Sequence, residues 1–172
     1  RMMTSRSEYR LLLRQDNADL SLTPLGHEIG LISDERYERF IEKRDMIQKE
    51  IKRLSDAVFP PSDGLQQYLT EIGSTPLRSG IKGAELVKRP QVSYDGLKPF
   101  DKTRPELPQV VCEQVEISIK YDGYIKRQAV QAEQFKKLEK RRIPSDIDYD
   151  DIDGLRIEAR QKLIKIKPES LG

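Results

Sequence analysis

Three arginines near the start of the chain, Arg6, Arg10 and Arg14, recur at i, i+4 and i+8. On a helix of 3.6 residues per turn that spacing stacks their guanidinium groups along one stripe, with Tyr9, Leu12 and Leu13 beside it. Like charges so placed need an anion opposite. Two readings are open. A polyanionic backbone is one partner, since each guanidinium offers planar, paired donors to phosphate; the other is neutralisation by Glu8, Asp16 and Asp19 inside an ordinary helical domain. A second basic group combines Lys120, Lys126 and Arg127 with Tyr121 and Tyr124. Cations interleaved with aromatics suit RNA, which is held by phosphate contacts and by stacking on exposed rings. A third cluster, Lys136, Lys137, Lys140, Arg141 and Arg142, is explained by solubility and by a favourable interaction with a helix C-terminus.

Other chemistry has little support. No glycine-rich loop follows a strand, so no dinucleotide fingerprint is present. His27 is the sole histidine and Cys112 the sole cysteine, too few for a zinc site or a disulfide framework. A nucleophile paired with His27 is a weak reading, because any serine would serve. The aspartates 146, 148, 150, 151 and 153 lack the central glycine and terminal glutamate of a calcium loop. They read as a solvated linker that caps the next helix.

These groups must be carried by helices. Ser33, Asp34 and Glu35 mark a helix start, with a capping hydroxyl followed by carboxylates at the positive end. From there Tyr37, Phe40, Arg44, Ile47, Ile51, Leu54 and Val58 step by three and four, a seam that predicts a long helix in a bundle. Pro60 and Pro61 end it. Arg44 interrupts the seam, its stem expected to pack and its head to reach solvent. Glu35–Arg39 and Asp45–Lys49 are i, i+4 pairs on the solvated side. Ser62 to Gly73 predicts a short helix with Leu65, Tyr68, Leu69 and Ile72 on one face, and 82–88 one or two further turns. Pro99 and Pro105 leave the remainder irregular.

The stretch after Leu107–Pro108 sends conflicting signals. Val115, Ile117, Ile119 and Tyr121 alternate and Asp122–Gly123 is a hairpin signal, yet the sequence from Tyr124 onward is plainly helical. We expect one helix over 108–142 with a weak point at Gly123. A last helix is expected from Ile157 to Ile166. The fold class is therefore all-α: a helical bundle domain over 1–144, then from 145 to 172 a linker and the first helix of a small distal helical subdomain.

Composition sets limits. Of 172 residues, 35% are charged and 36% hydrophobic, with no tryptophan, which allows one sizeable or two small cores. No run approaches the roughly 20 apolar residues of a membrane span, and no signal peptide is visible. The net charge of +2 hides segregation: residues 78–104 carry seven Lys/Arg against three Asp/Glu, and 120–142 carry eight against three. Position 1 is Arg, not Met, so a segment of a longer chain is expected.

The segment "RMMTSRSEYRLLLRQDNADLSLT", then "GHEIGLISDERYERF", "YDGYIKRQ" and "KKLEKRRIPSDIDYDDIDGL", resembles in order and spacing the C-terminal helical region of the glucose-inhibited division protein A (MnmG) family. Ser21 and His27 depart from the family's pattern. The resemblance implies an FAD-dependent, NADH-using enzyme. With the GTPase MnmE it adds a carboxymethylaminomethyl group to the wobble uridine of tRNA in the cytoplasm, as a homodimer that joins the GTPase in a heterotetramer. The flavin site would lie in the N-terminal part, and this region, with no catalytic, cofactor or metal residues of its own, would contact tRNA and the GTPase. Arg6, Arg10, Arg14, Lys120, Tyr121, Tyr124, Lys126 and Arg127 are the expected RNA contacts. The alternative is a helical protein–protein interaction module that does not bind RNA.

Overall fold

The computed structural model describes Leu11, Leu12 and residues 14–171. The chain separates into two compact units, one running to Ile125 and the other from Lys126. The expected division lay at 144/145.

In the first unit, a 3-10 turn at Gln15–Asn17 leads into α1 (Ala18–Glu28), followed by α2 (Asp34–Asp56). Ser33 occupies the α2 cap position in extended conformation, but no side-chain cap bond forms and only its carbonyl serves, accepting from Tyr37 N at 3.0 Å. The seam is shorter than its spacing suggests. Phe40 and Leu54 are buried, Ile47 and Ile51 pack against the core half-buried, and the helix stops at Asp56. Val58 then opens β1 (Val58–Phe59) and is 62% exposed. Pairing of β1 with β2 (Ile81–Lys82), Phe59 opposite Ile81, draws Phe59 into the core and turns its neighbour outward, as the strand period requires. Arg44 is half-exposed and bonded to Asp45, and the expected Asp45–Lys49 pair does not form among the described residues, whereas Arg39 does bond Glu35.

Helix α3 (Asp63–Glu71) buries Leu65 and Leu69 and closes at Gly73, whose φ of +68° is the left-handed conformation favoured after a helix. The short α4 (Gly83–Val87) buries Leu86 and Val87 completely. A 3-10 helix at Asp95–Phe100 orders part of the stretch expected to be irregular, with Pro99 inside it.

Helix α5 (Gln109–Lys140) is continuous through Gly123. Val111, Val115 and Ile119 recur every four residues on its buried side, while Tyr121 is 40% exposed. Burial thus follows the helical period and overrides the local alternation. The core joins Leu54, Phe59, Leu69, Leu86, Val92 and Leu97 to this row.

The second unit contains the later part of α5 and α6 (Ile157–Ile166), the latter ending on Lys167 at φ +48°. Arg142 and Ser170 form an antiparallel bridge, reinforced by Ile143 N to Glu169 O at 3.0 Å. Arg156 holds the α6 cap position without a side-chain cap bond, so the aspartate run does not cap α6. Asp150 instead lies 3.9 Å from Arg160 within that helix. No described helix is long and apolar enough to cross a membrane.

Candidate nucleic-acid interface

The most exposed aromatic pair on α5 is Tyr121 and Tyr124, 40% and 56% exposed, with ring centroids 6.3 Å apart. Three residues apart on a helix, they share one side. Lys120 precedes them and is held in place: its ammonium donates to Glu116 Oε1 at 2.8 Å and reaches Pro90 O at 3.4 Å. Glu116 is fixed in turn because its Oε2 accepts from Tyr94 N at 2.8 Å.

Arg14 approaches the same tyrosine from another part of the first unit. Its guanidinium carbon lies 5.6 Å from the centre of the Tyr121 ring, a cation–π contact. Its Nε and Nη2 donate to Asp16 Oδ1 and Oδ2, each at 3.0 Å, and Nη1 donates to Leu11 O at 2.6 Å. The hydrogen bond from Arg14 holds the Asp16 carboxyl below its ordinary value, and Gln114 on α5 donates to Asp16 as well. Arg14 therefore does not sit on a helical stripe. It lies on extended backbone at φ −112°, ψ 158°, because the chain turns there into the 3-10 helix. The carboxylate neutralisation weighed in the sequence is what this residue displays. Asp19 is engaged elsewhere, accepting from Lys43 at 2.7 Å. Arg6 and Arg10 lie outside the described residues.

Lys126 and Arg127 are exposed positions of α5 in the second unit. Lys136, Lys137 and Lys140 are exposed near the end of that helix, and the backbone of Arg141 accepts from Leu171 N at 3.1 Å. A cleft of about 640 Å³ in this unit is lined by residues 142–150, Ile164 and 167–169, mixing three aspartates and Glu169 with Arg142 and Lys167. It presents no single sign of charge to a ligand.

His27 has a structural setting. Its ring stacks on Tyr37 at 4.1 Å, and its Nε2 lies 2.8 Å from Asp34 Oδ1, tying α1 to the start of α2. Cys112 is buried. Among the described residues no three His, Cys, Asp or Glu side chains gather as a metal site. The glycine at the strand-to-helix turn, Gly83, offers no cradle for a dinucleotide phosphate. A Cβ there would stand 2.8 Å from Phe59 Cε2 and 2.9 Å from Leu54 Cδ2, so its missing side chain serves core packing.

One feature was missed by sequence reasoning. Glu50, on α2, is 2% exposed and accepts from Arg53 at 2.6 and 2.8 Å and from Tyr94 Oη at 2.7 Å. Arg53 also grips Asp101 at 2.6 Å. Burial opposes ionisation of Asp101, but hydrogen bonds from Arg53 and Thr103 outweigh it and hold the carboxyl below its ordinary value. Burial and the Glu50 contact push the Tyr94 phenol upward, keeping it a neutral donor. Arg104 caps the other side, 3.8 Å above the Tyr94 ring, and donates to Asp95. Glu50, Tyr94, Glu116 and Lys120 thus form an unbroken chain of contacts from the core to the α5 surface. The only signal in the sequence was a carboxylate one position from the apolar seam, which is unremarkable on a charged helix.

Two family models match the chain: the tRNA modifying enzyme MnmG/GidA C-terminal helical domain over residues 34–129, and the MnmG/GidA C-terminal helical bundle over 131–172. Curated relatives called tRNA uridine 5-carboxymethylaminomethyl modification enzyme MnmG are similar over the whole chain. Those from Caldicellulosiruptor saccharolyticus and Lachnoclostridium phytofermentans are 57% and 58% identical. The chain spans 28% and 27% of their respective lengths. Among solved structures, Aquifex aeolicus GidA is 40% identical with a TM-score of 0.60, the match covering 96% of this chain and 25% of that one.

Proposed function

This chain belongs to the MnmG/GidA family of tRNA-modifying enzymes, as part of its C-terminal helical region, and on that premise we propose that it supplies tRNA and partner contacts to a parent enzyme acting on the wobble uridine. The observation that supports the RNA contact is the exposed Tyr121–Tyr124 pair beside a lysine whose position is fixed from the core. Exposed rings stack on unpaired bases, and neighbouring cations neutralise phosphates. The residues given to RNA are Lys120, Tyr121, Tyr124, Lys126 and Arg127. Arg14 takes a positioning role, through Asp16 and the Tyr121 ring; Arg6 and Arg10 stay in the proposal on their spacing alone.

The parent enzyme uses FAD and NADH to install the carboxymethylaminomethyl group together with the GTPase MnmE, in the cytoplasm and as a homodimer within a heterotetramer. We assign the flavin to the rest of that enzyme because this sequence carries no glycine-rich dinucleotide fingerprint. Replacing Lys120, Lys126 and Arg127 by Gln tests the assignment. Affinity should fall by a similar factor for every tRNA, and the salt slope should flatten by roughly two to three phosphate equivalents. An unchanged slope with MnmE binding lost would favour the protein-interaction module.

A further inference from the structure

The loop before β2 is held in shape by contacts of its own. Buried Ser74 donates its N–H to Leu69 O at 2.7 Å. Gln66 clasps buried Leu77 in both directions, Nε2 to Leu77 O at 2.6 Å and Leu77 N to Oε1 at 2.8 Å. Ile81 then pairs with Phe59. Gly80 permits that approach, because a Cβ there would lie 2.9 Å from Val58 Cγ1. Between these anchors is an open cleft of about 340 Å³, lined by residues 75–81 and Arg89.

The ionisable groups lining this cleft are two arginines, with no carboxylate. Arg89 is half-buried and held by Nη1, which donates to Ser74 Oγ at 3.1 Å and to Thr75 O, leaving Nε and Nη2 for a ligand. Arg78 is exposed and makes no ion pair among the described residues. Thr75 and Ser79, each bearing a hydroxyl, also line the cleft. The nearby Lys88 is already committed to Glu85, at 2.7 Å. Two guanidinium groups, Arg78 on the pinned loop and Arg89 just after α4, with no carboxylate in the lining, are built for a phosphate group. Pre-organisation lowers the ordering cost of binding it. The next residue, Pro90, accepts from Lys120, so the cation beside the α5 tyrosines borders the same turn.

The geometry points to a phosphate-binding cleft formed by Arg78 and Arg89, which holds a backbone phosphate of the RNA engaged by Tyr121 and Tyr124; this rests on the tRNA reading above. Neither residue was among those expected to touch RNA.

The test measures bulk tRNA binding to the full-length protein between 50 and 200 mM salt, for wild type, for Arg78→Gln and Arg78→Lys, and for Lys102→Gln, an exposed lysine outside the cleft lining. Losing one phosphate contact should lower the slope of log affinity against log salt by about 0.7–0.9, so the defect of Arg78→Gln should shrink about threefold across that range. Arg78→Lys should restore the slope, Lys102→Gln should match wild type, and all should melt together. A wild-type slope and affinity in Arg78→Gln overturns the cleft while leaving the tRNA reading intact. Loss of MnmE binding with tRNA binding unchanged overturns it in favour of an acidic protein partner. If the wild-type protein itself shows no salt-dependent tRNA binding, the broader reading fails first, and the cleft with it.

Discussion

Glu50→Ala is the substitution whose cost follows most directly from the contacts. The carboxylate accepts three hydrogen bonds, two from Arg53 and one from Tyr94 Oη, at 2% residue exposure. Hydrogen bonds to charged groups contribute about 1.5–3 kcal/mol each, and removing one partner of a buried pair costs about 3–5 kcal/mol. Arg53 keeps Asp101 and Thr103, which limits the loss on its side. Tyr94 keeps no acceptor for its buried hydroxyl. A cost of about 3–4 kcal/mol results, and at about 2–4 °C per kcal/mol for a chain of this size it appears as a drop of roughly 10 °C. Calorimetry on Glu50→Ala, Tyr94→Phe and the double variant gives both the cost and the coupling. The double variant should lose less than the sum of the singles, because each removes the same bond. A loss below about 1 kcal/mol for Glu50→Ala, or strict additivity with Tyr94→Phe, would refute the buried network.

Further outcomes follow from packing and charge. Gly83→Ala should destabilise by about 1–3 kcal/mol through overpacking against Phe59 and Leu54. Gly123→Ala, with nothing within 4 Å of the added methyl, should stabilise by about 0.5–1 kcal/mol on the helix-interior scale; a loss in chemical denaturation at 123 would contradict a continuous α5. Asp16, Asp95 and Asp101 all have carboxyls held below the ordinary 3.8. A depressed carboxyl contributes stability that is full above its unfolded value and is lost as pH falls through the folded one. Melting temperature should therefore fall as pH drops below about 4, and Asp101→Asn should show a shallower acid limb. Parallel limbs for the two proteins would contradict the Arg53–Asp101 contact.

The long elements were readable because their signals are local. The start of α2 at Ser33, the close of α3 at Gly73 and the span of α6 from Ile157 to Ile166 coincide with the boundaries read from capping and breaking residues. Helix α5 needed arbitration: the plainly helical run from Tyr124 onward outweighed the alternation and the Asp122–Gly123 signal, and the burial of Val111, Val115 and Ile119 every four residues agrees with it. Failures came where a residue's fate is set by a distant partner. Val58 fits the helical seam by spacing, but pairing with Lys82 turns it into a strand. Arg14 fits a helical stripe, but Asp16 and the Tyr121 ring fix it on extended backbone. Glu50 looks like one more surface charge until Tyr94, 44 positions later, donates to it. Of the surface chemistry, the α5 tyrosines were legible from type and spacing. The Arg78–Arg89 cleft was not, since it exists only because Gln66 and β2 shape the loop between those residues.

Engagement of tRNA through this region is the central claim, and the salt dependence of bulk tRNA binding to the wild-type protein tests it most directly. The five cations assigned to phosphate, Lys120, Lys126, Arg127, Arg78 and Arg89, set the limit: with all engaged, log affinity should fall against log salt with a slope of roughly −3.5 to −4.5. Binding that is absent, or that stays level from 50 to 200 mM salt, would contradict the account.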